Sequence, residues 1–216
     1  MLSLYLDSAV RAGVERLLRT GVFRGITTNP NILHKAGLSG ADIPDVYRWA
    51  VDGGAQDVFL QTWGRTHDEM FDRAQQLLEL GDRVIVKVPA TREGIPVAGR
   101  LVRTGAPVLL TAVYSLHQAV TAGAIGVDFV APYLGKVTEE GGFGRETVAG
   151  MQRVLRQTRC STRVLAASIR TTPDMTDLSQ QGVDAFALPV TVADRLFEDL
   201  FTDVAAKLFD GITSTW

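Results

Sequence analysis

Val84-Ile85-Val86-Lys87-Val88-Pro89-Ala90-Thr91 is the stretch on which the reading of this chain turns. As an extended segment it places Val84, Val86 and Val88 on one face and Ile85, Lys87 and Pro89 on the other. A lysine inside an apolar, β-branched run conflicts with burial, because an isolated ammonium is costly to remove from water and tends to give up its proton. The resulting amine attacks carbonyl carbon. The ordinary reading of a strand lysine is an edge position, or a stem that snorkels to water. Scarcity favours the chemical reading: the chain has four lysines, Lys35, Lys87, Lys136 and Lys207, and its other cationic side chains are arginine.

Working outward from that strand, the same unit recurs. Strands are expected over Leu2–Ser8, Gly25–Pro30, Asp57–Thr62, Val84–Val88, Pro107–Ala112, Asp128–Tyr133, Arg163–Ser168 and Ala185–Leu188. Helical spacing of apolar residues fills the intervals. Ser8 caps a helix to about Arg19, which Gly21 closes, and a second helix spans about Asp42 to Val51. Thr66, Thr91 and Ser115 cap helices to about Leu80, Thr104 and Ala124. Further helices are expected from Gly144 to Arg156, from Thr171–Asp174 to Gln181, from Thr191 to Glu198 and from Asp203 to Phe209. Strand–helix alternation with short glycine turns calls for a parallel sheet covered by helices. Near-continuous apolar strands indicate burial on both faces. Eight repeats without a linker point to one domain over residues 1–216: an α/β (β/α)8 TIM barrel with an additional C-terminal helix. Gly141-Gly142-Phe143-Gly144 follows the sixth strand rather than the first, so it reads as a loop and helix start, not a dinucleotide fingerprint.

Composition narrows the function. A net charge of −2 over 216 residues gives no electrostatic case for nucleic acid. The single Cys160 excludes an intramolecular disulfide and a CxxC redox pair. His34, His67 and His117 are scattered, which argues against a metal site. The start of the chain lacks a basic leader, and no apolar run reaches the length of a membrane span, so a soluble cytoplasmic protein is expected.

The strand ends carry the chemistry. Asp7, Asn29, Gln61, Lys87, Thr111, Tyr133 and Ser168 each fall at or near the C-terminal end of a different expected strand. Asp7 shares its side with Ser3 and Tyr5, away from the leucines, as Lys87 shares its side with Ile85. In a barrel one parity points inward, and active sites form at the C-terminal mouth. Singly, Asp7, Thr111 or Ser168 could cap a following helix and Tyr133 could be core; capping does not account for all seven together. A lysine ringed by such groups suits imine chemistry, with Asp7 or Tyr133 moving protons and Gln61 and Thr111 holding a water. Arg170, assisted by Ser168 and a helix N-terminus near Thr172, suits a phosphate.

At these residues the chain resembles the small-subunit transaldolase / fructose-6-phosphate aldolase family. The resemblance covers essentially the whole chain. Its motifs are Leu4-Tyr5-Leu6-Asp7, Gly25-Ile26-Thr27-Thr28-Asn29-Pro30, Val86-Lys87-Val88-Pro89-Ala90-Thr91, Thr111-Ala112-Val113-Tyr114, Val130-Ala131-Pro132-Tyr133 and Leu165-Ala166-Ala167-Ser168. The resemblance implies class I aldolase chemistry on a sugar phosphate with no cofactor. It matches Lys87 to the Schiff-base lysine, Asp7 to the acid/base aspartate, and Gln61, Thr111 and Tyr133 to the residues that hold and use the catalytic water. It matches Asn29 to a substrate-binding asparagine, and Ser168 and Arg170 to the phosphate grip. Lys136 stands where the family usually has an arginine for phosphate, and lysine lacks the planar fork. Leu109 and Ala131 lack polar groups that larger transaldolases place there. The resemblance also implies ring-shaped homo-oligomers, pentamers or decamers, with the last helix reaching a neighbour. Transaldolase-like members tend to carry Glu in place of Gln61 and Phe in place of Tyr133, so this pair resembles the aldolase side. The rival readings are a transaldolase, a non-catalytic phosphosugar-binding barrel and a metal-dependent barrel aldolase or epimerase.

Overall fold

The structure, a computed structural model, describes residues 2–139 and 141–216. Eight parallel strands close on themselves in sequence order: β1 (Ser3–Asp7), β2 (Phe23–Thr27), β3 (Asp57–Gln61), β4 (Val84–Pro89), β5 (Val108–Val113), β6 (Phe129–Pro132), β7 (Arg163–Ala166) and β8 (Ala185–Leu188). β1 pairs with both β2 and β8, so no edge is left.

The alternation in each strand feeds two separate cores. Leu4, Leu6, Val84, Val86 and Val88 face outward and pack under the helices. Tyr5, Phe59, Ile85, Leu109, Phe129 and Leu165 face inward and fill the barrel. Tyr5, Phe59 and Phe129 meet edge to face, with ring centroids 4.9 and 5.5 Å apart. Lys87 belongs to the inward set, as its parity with Ile85 requires. Gly25 serves the close approach of β2 to β3: a side chain there would run into the Asp57 carbonyl.

The helices are α1 (Arg11–Leu18), α2 (Pro30–Lys35), α3 (Ile43–Asp52), α4 (His67–Leu78), α5 (Gly94–Arg103), α6 (Leu116–Ile125), α7 (Leu134–Glu139), α8 (Gly144–Gln157), α9 (Thr172–Gln180), α10 (Val190–Asp194) and α11 (Leu200–Thr213). Two of them, α2 and α7, lie outside the helices expected from sequence. At six residues each they are too short for an apolar period to show. Thr91 stands three residues before α5: its hydroxyl accepts from Gly94 N at 3.0 Å, while Glu93 takes the cap position. The helix expected over Thr191–Glu198 stops at Asp194 and tightens into a 3-10 turn, Arg195–Phe197.

The last helix is longer than Asp203–Phe209, because the Asp199 carboxylate accepts from Thr202 N at 2.9 Å and starts it at Leu200. None of its residues is buried, and Phe201 is 82% exposed. No helix among the described residues is long and apolar enough to cross a membrane.

Candidate active site

The candidate site is built on the inward residues at the C-terminal ends of the strands. In the β1–β2 ladder Asp7 stands beside Thr27, and in the β3–β4 ladder Gln61 stands beside Lys87. Parallel pairing keeps ladder partners on one face, so these four side chains turn toward the barrel axis together.

Lys87 is 4% exposed. Its Nζ donates to Thr27 Oγ1 at 2.7 Å, and Thr27 Oγ1 in turn donates to Asp7 Oδ1 at 3.2 Å. Burial pulls the lysine down to about 8, against an upward pull from the Asp7 charge. Burial pushes the Asp7 carboxyl up, against the Lys87 charge and the Thr27 hydroxyl. Both groups therefore lean toward their neutral forms, and the threonine hydroxyl is the bridge between them.

Tyr133 enters from the end of β6, where it forms a bridge to Ala167. Its hydroxyl lies 3.0 Å from Thr111 Oγ1. Burial raises the phenol above its ordinary value and the Asp7 and Tyr114 charges add to this; the Thr111 hydrogen bond opposes it. Thr111 is fully buried and reaches the site through Tyr133. The backbone beside it is unusual: Ala112 has φ 57°, and the β5–β6 register breaks between Leu110 and Val113. Ser168 has φ 59° at the end of β7. Left-handed non-glycine residues carry a conformational cost of about 1–3 kcal/mol, and both lie next to candidate site residues. Gly135 lets α7 lie against this segment, since a side chain there would stand 2.7 Å from the Ser168 carbonyl and 2.8 Å from Arg170 Nε.

Asp7, Asn29, Gln61, Lys87, Tyr133, Lys136, Ser168 and Arg170 line one cavity of about 570 Å³. Thr111 stands behind Tyr133. The sequence reasoning missed Thr27, the only side chain that the Lys87 amine contacts by hydrogen bond among the described residues. The signal was present: Thr27 shares the parity of Asn29 two residues on. A threonine is so ordinary in a strand that nothing in its type marked it out.

Two expected binding residues have further partners. Asn29 caps α2, its Oδ1 accepting from Ile32 N at 2.9 Å, which leaves its amide hydrogens as donors. Arg170 donates to Glu139 at 2.9 Å across the exposed rim. Lys136 Nζ stands 5.7 Å from the centre of the Tyr133 ring. Among the described residues no group of three or more His, Cys, Asp or Glu side chains is placed to hold a metal ion.

Solved structures share the architecture. A mandelate oxidase with (S)-2-phenylpropionate superposes with a TM-score of 0.61 at 14% identity, over 88% of this chain and 65% of that one. The thiamine phosphate pyrophosphorylase from Pyrococcus furiosus superposes with a TM-score of 0.60 at 17% identity, over 89% of this chain and 87% of that one. This chain thus spans just under two thirds of the mandelate oxidase length. At such identities the likeness defines the class, an eight-stranded parallel α/β barrel, and nothing of the chemistry. The sequence is more specific: residues 4–213 match the family model described as transaldolase/fructose-6-phosphate aldolase, and the chain belongs to that family. Its members are class I, Schiff-base aldolases and transaldolases.

Proposed function

We propose that the protein is a lysine-dependent aldolase that cleaves a ketose phosphate, fructose 6-phosphate in the first instance, to dihydroxyacetone and glyceraldehyde 3-phosphate. One observation carries the reading: a buried lysine, held near neutrality, faces an open cavity and shares a hydroxyl with a carboxyl group.

The neutral Lys87 amine adds to the ketone carbon, and loss of water leaves an iminium. Asp7 takes the proton from the C4 hydroxyl as the C3–C4 bond breaks. Glyceraldehyde 3-phosphate departs, and the bonding electron pair remains as an enamine. Tyr133, polarised by Thr111, returns a proton to carbon through a water held by Gln61. Hydrolysis of the iminium then frees dihydroxyacetone and the amine. Asn29 offers its amide to a substrate hydroxyl, and Ser168, Lys136 and Arg170 form the cationic end for the phosphate.

The hydroxyl of Tyr133 favours this reaction over transaldol transfer, in which the enamine waits for an aldose phosphate. A phenol offers the enamine a proton that a phenyl ring cannot. The test is fructose 6-phosphate with borohydride. The expected result is a reduced adduct on Lys87, and dihydroxyacetone released without any acceptor. Release only when erythrose 4-phosphate is added would assign a transaldolase. An unchanged intact mass with every ketose phosphate tried would leave a non-catalytic sugar-phosphate barrel.

The same reading includes a homo-oligomer. An α11 with Leu200, Phe201, Val204, Leu208 and Phe209 all exposed is supported best as a helix seated on a second copy. Light scattering showing a monomer at micromolar concentration would remove this part.

A further inference from the structure

Lys35 lines the same cavity as Lys87, and no role has been assigned to it. It sits at the C-terminal end of α2, the short helix that leaves the mouth at Asn29. Asn31, Ile32, Lys35 and Ala36 all line the cavity, the spacing of one helix face. Helical side chains lean toward the helix N-terminus, and here that direction leads back to the mouth.

The charges around the cavity are unevenly used. Asp7 and Lys87 answer each other through Thr27, and Arg170 is occupied by Glu139. Lys35 has no ion pair or hydrogen bond among the described residues. Lys35 follows β2 and Lys136 follows β6, four strands apart in a closed ring of eight, so the two ammonium groups stand on opposite walls with Lys87 between them. A ligand with one anionic end needs only one of these walls. On the β2 wall Asn29 also presents only donors, because its oxygen is held by Ile32 N. That wall is built to receive an oxygen-rich, negatively charged group.

We infer that Lys35 is a specificity-determining residue that reads a second anionic group, on carbon 1 of the ketose, so that the site prefers a ketose bisphosphate to the monophosphate. The inference rests on the ketose-phosphate reading above. Loss of a charge-assisted hydrogen bond at this position is expected to cost about tenfold in affinity.

Calorimetric titration with glucitol 6-phosphate and glucitol 1,6-bisphosphate tests it, since neither has a carbonyl and neither needs the imine. The wild-type chain should bind the bisphosphate about tenfold more tightly. Lys35→Met should erase that preference while leaving the 6-phosphate within about twofold and the melting temperature unchanged, and Lys35→Arg should retain most of it. Equal binding of the two ligands by the wild type overturns the inference. So does a preference that survives Lys35→Met, or a loss that falls on both ligands alike. A borohydride adduct on Lys87 without bisphosphate preference removes only this inference. A preference without any adduct removes the aldolase reading instead.

Discussion

The two mouths of the barrel are made by the same eight strands and use their polar residues in opposite ways. At the N-terminal mouth a depression of about 470 Å³ is lined by Arg24, Asp57, Arg163 and Asp184, and these charges cancel in pairs. Arg24 Nε lies 2.5 Å from Asp57, Tyr5 donates to the same carboxylate at 2.9 Å, and Arg163 lies 3.1 Å from Asp184. At the C-terminal mouth a cavity of similar order holds Lys35, Lys136 and the amide of Asn29, with hydrogen-bonding capacity turned to the open space. Volume is common to both ends; what separates them is polar capacity left unspent. The N-terminal end closes the barrel, and the C-terminal end is where a ligand has something to gain.

Changes at the C-terminal mouth should therefore alter chemistry, and changes at the other mouth should alter stability alone. The largest effect belongs to Lys87→Met, which should abolish borohydride adduct formation by intact mass. The same variant should be more stable by about 2 kcal/mol near pH 7 in denaturant titrations, because it removes a buried ammonium. The sign follows from proton counting. Between about pH 8, the folded value, and 10.5, the ordinary value, the unfolded chain holds a proton that the folded wild type lacks. Wild-type stability rises through that window, so the advantage of Lys87→Met is greatest below pH 8 and fades above it. A variant equally stable at all pH values would mean that burial does not perturb this amine.

Thr27→Val should slow adduct formation about 10- to 100-fold in quenched time courses, since it leaves Lys87 and Asp7 without their shared hydroxyl. Thr27→Ser should recover most of the rate. The comparison between the mouths sharpens with Tyr5→Phe at the lower end. It should cost about 1 kcal/mol in urea unfolding, with turnover unchanged, because Arg24 still satisfies Asp57. A loss of turnover in that variant would break the separation of the two ends. The smallest effect is expected from Glu139→Gln, which frees the Arg170 guanidinium and should lower KM for the phosphorylated substrate about two- to fivefold.

Much of this site was legible before any fold was known. The face of each strand follows from period 2, so Asp7, Gln61 and Lys87 could be assigned to one side without coordinates. Thr27 was hidden for a different reason: its hydroxyl meets Lys87 across 60 residues of chain, and local pattern carries no information at that separation. Arg170 was legible as a cation but not as a cation already engaged by Glu139. Asn29 was legible at the mouth but not as a helix cap, because α2 is too short to announce itself.

The alternation of strand and helix, the inward parity of the lysine and the family motifs are local properties, set by the geometry of extended and helical backbone, and the amino-acid order was sufficient to decide them. Closure of the ring decided the rest. It brought β2 beside β1 and within reach of β4, gave one amine a threonine partner, took it out of water and left Lys35 facing Lys136 across the opening. It also left α11 with nothing beneath it. Distance between residues far apart in the chain is a property of the packed barrel, and pKa, ion pairing and exposure all depend on that distance.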